Sequence, residues 1–90
     1  MTEKEMMSLP TYDPSNLLDA LIAHLRLKND RALASQLDVT PPQISKFRNK
    51  KSPLTPGLLI AIHEVSGLDI KFIRSLAGIT ASKVEFKRAA

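Results

Sequence analysis

Read for apolar spacing alone, the chain falls into five helical segments separated by short polar breaks. Leu17, Leu18, Leu21, Ile22 and Leu25 recur three and four residues apart, the period of a helix with one buried face. Asp13-Pro14 just before them supplies a capping side chain and a proline at the first helical position, where its missing N–H does no harm. Together these predict a first helix running to about Leu27, then a tight connection at Lys28-Asn29-Asp30 with a cap in Asn29 or Asp30. On the second helix Leu33 and Leu37 share a face, and Ala34 beside them is small enough for another helix to cross closely. Asp38-Val39-Thr40 makes a turn, and Thr40-Pro-Pro-Gln43 opens a third helix. It has a threonine cap, two prolines where backbone donors are orphaned anyway, and glutamine at the capping-box position. Ile44 and Phe47 then point inward together, leaving Ser45, Lys46 and Asn49 facing out with the two prolines.

Further along, Lys50-Lys-Ser-Pro-Leu54 reads as a basic loop. Thr55-Pro56 starts a fourth helix carrying Leu58, Leu59, Ile62 and Val65 and stopping at Gly67. Asp69 caps a fifth, with Phe72, Ile73 and Leu76 apolar and Gly78 as its stop. The flanks lack this pattern. Residues 1–12 have mixed charge, a proline and no sustained period, and read as a flexible arm. Residues 79–90 form a short tail in which Val84-Glu-Phe-Lys alternates as a weak strand would. The expected organisation is a flexible arm over 1–12, a compact all-α five-helix domain over 13–78 and a C-terminal tail.

Composition narrows the chemistry. From ninety residues the expectation is one small domain, without a separate ligand-sensing domain. Without cysteine, disulfides and thiolate zinc sites are excluded, and the common zinc-finger DNA readers with them. The start of the chain lacks a signal peptide's basic residues and long apolar run, and no apolar run approaches a membrane span, so the expectation is a soluble cytoplasmic protein. His24 and His63 are isolated from carboxylates at ligand spacing. Asp19, Asp30, Asp38 and Asp69 sit at turns and helix starts as caps rather than as an acid–base pair, and no nucleophile motif or glycine-rich phosphate loop occurs. The expectation is a protein that is not an enzyme and uses no cofactor or metal.

Charge is the feature that changes the picture. The formal net charge is +4, and Lys46, Arg48, Lys50 and Lys51 lie in a stretch with no acidic residue between Asp38 and Glu64. Cations gathered on one helix and its exit loop are the footprint of a phosphate-binding surface. Arg48 lies nearer the flank of the helix, where an ion pair with a first-helix carboxylate competes with phosphate. Lysines 46, 50 and 51 also fit an ordinary solvated run, since exposed lysines are common.

A unit that presents one helix to a DNA major groove needs apolar residues on two helices to lock their angle, a small residue at the crossing and a short turn. Leu33, Leu37, Val39, Ile44 and Phe47 supply the lock and Ala34 the crossing. At these residues, and over roughly 15–78, the chain resembles the phage-repressor and Cro-like (XRE-type, lambda-repressor-like) helix-turn-helix family, five-helix domains that bind double-stranded DNA and usually act as homodimers. The resemblance implies a sequence-specific transcriptional regulator, a repressor by operator occupancy, with 41–49 as recognition helix. It implies base reading by Pro41, Pro42 and Lys46, and phosphate contact by Asn49, Lys50 and Lys51. Gln43 fits both a base reader and a capping partner, and Ser45 both a contact and a filler. The expected DNA surface is Thr40, Pro41, Pro42, Gln43, Ser45, Lys46, Asn49, Lys50 and Lys51.

Two departures from the family pattern stand out. Asp38 occupies a turn where the family often has glycine. The two prolines replace polar readers and cannot donate to base edges, although they can meet thymine methyls and leave Lys46 to guanine. The dimer contact is expected at the fifth helix, with Phe72 exposed beside Ile73, or in the tail from Ile79 to Arg88. The stretch from Thr55 to Gly67, followed by Phe72 and Leu76, also resembles small helix-turn-helix antitoxins, which repress their own operon and bind a toxin partner. Under that alternative the arm or the tail folds on the toxin. A third possibility, prompted by the missing polar readers, is an adaptor that keeps the fold without binding DNA.

Overall fold

The computed structural model describes Glu5 and residues 7–79. It is all-α, with five helices and no strand among the described residues: α1 (Pro14–His24), α2 (Asp30–Leu37), α3 (Pro41–Arg48), α4 (Pro56–Ser66) and α5 (Ile70–Leu76). Each helix begins where a side chain can accept from an orphaned N–H of its first turn. Asp13 accepts from Asn16 N–H, Asn29 from Ala32, Thr40 from Gln43, Thr55 from Leu58 and Asp69 from Lys71. Of the two caps open for α2, the structure uses Asn29.

The apolar periodicity then dictates what is buried. Leu17, Leu18 and Leu21 of α1 are almost completely buried against Leu33 and Ala34 of α2, Ile44 and Phe47 of α3 and Ile73 of α5. α1 packs on α2, α3 and α5, and α4 closes the other side of the core against α2 and α5 with Leu58, Leu59 and Ile62. Burial of each such leucine or isoleucine contributes about 1.5–3 kcal/mol, which a domain this small cannot easily forgo. No described helix is long and apolar enough to cross a membrane.

Three expectations change. First, α1 stops at His24 rather than near Leu27, because Arg26 takes a left-handed backbone (φ 57°). Its N–H bonds to the Ala23 carbonyl and that of Leu27 to Ile22 (3.2 and 2.9 Å), the paired bonds of a Schellman ending. The helical spacing of Leu25 and Leu27 survives because both still pack on the core. Second, the arm expected over 1–12 is folded down from Met7 onward: Met7 and Leu9 lie against the core and Tyr12 is 1% exposed. The Tyr12 phenol is buried, and burial pushes its pKa up, with the Leu54 backbone beside it opposing. Third, Ile79, assigned to the tail, is a core residue, and its N–H bonds to Arg74 O. The rest of the proposed tail, residues 80–90 with the suggested strand at 84–87, lies outside the described residues.

What folds the arm down is a clasp between the two ends of the domain. Thr11 Oγ1 donates to Gly78 O (2.6 Å), Asp13 N–H to Ala77 O (2.8 Å) and Asn16 Nδ2 to Leu76 O (2.7 Å). Three successive carbonyls left over by the end of α5 are thereby satisfied by the start of α1.

Gly78 sits inside the clasp with φ 73°, and a Cβ there would collide with the Thr11 carbonyl. Gly67, the α4 C-cap, has a similar φ of 75° but open space where a Cβ would be. Gly67→Ala is therefore expected to cost only the left-handed strain, about 1–2 kcal/mol, and Gly78→Ala about 3 kcal/mol or more from strain plus overpacking. Urea unfolding of both variants measures the difference; equal losses would show that the clasp yields without resistance.

Candidate nucleic-acid interface

α2 and α3 are joined by three residues, and the way α2 ends sets how α3 leaves. Asp38 is left-handed (φ 58°, ψ 42°), with its N–H turned back to Ser35 O and that of Val39 to Ala34 O. Aspartate thus takes the conformation for which the resembled family often uses glycine. Thr40 returns the backbone to extended geometry and caps α3. With Ile44 fully buried and Phe47 8% exposed, the inward face of α3 is fixed. By helical geometry the opposite face is a stripe of Pro42, Ser45, Lys46 and Asn49, all exposed, with Pro41 and Gln43 beside it.

The polar atoms of that face are mostly occupied by the helix itself. Thr40 N–H donates to Gln43 Oε1 at 2.8 Å, and Gln43 N–H to Thr40 Oγ1 at 3.3 Å, a closed capping box. The threonine hydroxyl completes it by donating to Gln43 Oε1 at 3.2 Å. Of the two roles open to Gln43, its side-chain oxygen takes the capping one. At the other end Asn49, the C-cap residue of α3, uses its amide nitrogen on Ser45 O (2.9 Å) and Ser45 Oγ (3.3 Å). Asn49 was expected to hold phosphate; in the structure its side-chain amide is bonded to the last turn of α3. Pro41 and Pro42 have no N–H to offer.

The lysines are arranged differently. After Asn49 the chain turns through a left-handed Lys50 (φ 61°), and the N–H groups of Lys51 and Ser52 both reach back to the Lys46 carbonyl (2.8 and 3.3 Å). The backbones of Lys46, Lys50 and Lys51 are thereby drawn together around the C-terminal turn of α3. All three side chains are exposed, and among the described residues none is in an ion pair. Cations at a helix C-terminus are favoured by the helix dipole whatever else they bind, so their location alone is not diagnostic. Their convergence beside an exposed face with few other free donors gathers positive charge at one end of α3.

Arg48 does not belong to this surface. Its Nη2 lies 2.8 Å from Asp19 Oδ1 and 2.7 Å from Asp30 Oδ1, while its Nε meets Asp30 Oδ2 at 2.8 Å. The guanidinium binds Asp30 through two nitrogens and reaches α1 through Asp19, tying α1, α2 and α3 at one point. The Asp30 hydrogen bonds hold its pKa above the ordinary arginine value, with partial burial opposing and Asp19 adding. The anticipated competition with a first-helix carboxylate is thus decided for Asp19, and Asp30 joins it. Asp19 and Asp30 are accordingly not caps. Three cations, not four, face outward.

The histidines serve the end of α4. His24 Nε2 bonds to Ser66 O at 3.0 Å and His63 Nδ1 to Leu68 O at 2.6 Å, each as donor to a carbonyl. No group of three potential metal ligands occurs among the described residues.

Because Asp30 is hydrogen-bonded through both oxygens and Asp19 is an exposed partner, Asp30→Asn is expected to lower stability by about 1–2 kcal/mol and Asp19→Asn by no more than about 0.5 kcal/mol. Chemical unfolding at low and high salt distinguishes them, and a larger loss at Asp19 would reverse the ranking. Comparison of the chain with protein-family models, with curated proteins and with solved structures returns no match, so the role of the surface is read from its geometry.

Proposed function

We propose that this protein is a sequence-specific DNA-binding regulator that places α3 in the major groove and acts by occupying an operator as a homodimer. The observation that carries the reading is the lysine cluster at 46, 50 and 51, in no ion pair among the described residues and set beside an exposed helix face. An eight-residue helix is about 12 Å long, and the major groove of B-DNA is about as wide, so the face can lie in the groove while the lysines reach the flanking backbone. With Thr40, Gln43 Oε1 and Asn49 engaged inside α3, direct polar reading of bases falls mainly to Lys46, and affinity leans on phosphate. Phe72 of α5, 51% exposed, supports self-association, whereas Ile73 beside it is fully buried and takes no part. A dimer would span two half-sites about one helical turn, roughly 34 Å, apart.

Selection of bound duplexes from a random pool at two salt concentrations tests the reading. A two-fold symmetric motif with steep salt dependence is the expected result; no binding at low salt would overturn it. Lys46→Ala should lose about 1–3 kcal/mol, concentrated at one base pair. Lys50→Ala and Lys51→Ala should weaken all sequences alike and flatten the salt dependence by about one unit of slope each. In sedimentation, Phe72→Asp should shift the protein towards monomer without loss of helicity; an unchanged distribution would exclude α5 from the dimer contact.

A further inference from the structure

The prolines at the start of α3 are more than helix starters. α1 and α4 each begin with a single proline, Pro14 and Pro56, at the position where proline suits a helix best. α3 begins with two, both exposed, although Thr40 and Gln43 already close its cap. Of the first three N–H positions of α3, two do not exist and the third, that of Gln43, is bonded to Thr40 Oγ1. This end of the helix presents two pyrrolidine rings and no free backbone donor. Pro42 lies on the same stripe as Lys46, one turn away, with Lys50 and Lys51 beyond. The apolar tip is therefore continuous with the positive surface that would hold it against a polyanion.

Across the major groove, the base feature that an apolar surface recognises is the methyl group on C5 of thymine. A cytosine methylated at C5 carries the same group in the same place. We propose that Pro41 and Pro42 read C5-methyl groups, accepting thymine and 5-methylcytosine and disfavouring unmodified cytosine at one or two adjacent positions of each half-site. This rests on the DNA reading above and extends it: recognition responds to cytosine methylation, with methylation strengthening binding. The division of labour is physical. The lysines supply attraction to any duplex, and the prolines, which have no donor or acceptor in their side chains, discriminate only by contact with a methyl.

The test uses the full chain and a duplex recovered by selection. Thymines are replaced one at a time by deoxyuridine, which removes only the methyl, and at positions where deoxyuridine weakens binding, cytosine is compared with 5-methylcytosine. The expected result is a loss of about fourfold per methyl at one or two adjacent positions, and a gain of similar size when cytosine there is methylated. A Pro41→Ala/Pro42→Ala variant, which keeps Thr40 and Gln43, should bind thymine and deoxyuridine duplexes equally. Equal binding of both duplexes by the unaltered protein, with a sequence motif still selected, would overturn the methyl reading and leave the DNA reading intact. Retained methyl sensitivity in the variant would remove the prolines from the role. Absence of any selected motif would overturn this proposal together with the sequence specificity proposed above, and absence of any binding would overturn the DNA reading itself.

Discussion

A helix leaves four N–H groups unpaired at its start and four carbonyls at its end, and in helices of seven to eleven residues those ends are most of the structure. Satisfying them is the constraint from which the rest of this protein follows. All five helices start under a side-chain cap, and four of the five end with paired backbone bonds that fold the chain back across a left-handed residue, Arg26, Asp38, Lys50 or Gly78. α4 ends differently, with Gly67 N–H on His63 O and the two histidines bonded to the carbonyls of Ser66 and Leu68. Hydrophobic burial holds the helices together, but end chemistry decides where each stops and in which direction the next one leaves.

The same constraint shapes the outer face of α3. Threonine, glutamine and asparagine there look, as residue types, like readers of a polar ligand, and each is already engaged in finishing the helix. The turn that ends α3 also gathers Lys46, Lys50 and Lys51, so one local solution removes neutral donors from the surface and concentrates charge on it. Arg48 moves the other way. Its position on the flank brings it to Asp19 and Asp30, and it becomes the tie that fixes α3 against α1 and α2. Geometry, more than composition, separates the cations that hold the fold from those that face outward.

Helix starts and the inward face of each helix were readable in the chain because their signals are local: Asp13-Pro14, Thr40-Pro-Pro-Gln43, Thr55-Pro56 and Asp69 announce themselves within four residues. The end of α1 was not, since apolar spacing continues through Leu27 and an arginine gives no sign of a left-handed backbone. Tyr12 looked like part of a loose arm because the clasp beside it closes on Gly78, 67 residues after Thr11. The exposed face of α3 followed from the spacing of Ile44 and Phe47. The pairing of Arg48 with Asp30 did not, because both partners also fit other roles locally and only the packed helices bring them together across eighteen residues.

The clasp between Thr11, Asp13, Asn16 and the carbonyls of Leu76, Ala77 and Gly78 makes the two ends of the domain a single unit of local opening. Peeling either one away breaks the same three bonds, and the residues next to the clasp in sequence, Tyr12 and Ile79, are both buried. The closure that joins the two ends spans a sequence separation of 67 residues, from Thr11 to Gly78. Closing it costs the chain more entropy than closing the short connections between neighbouring helices.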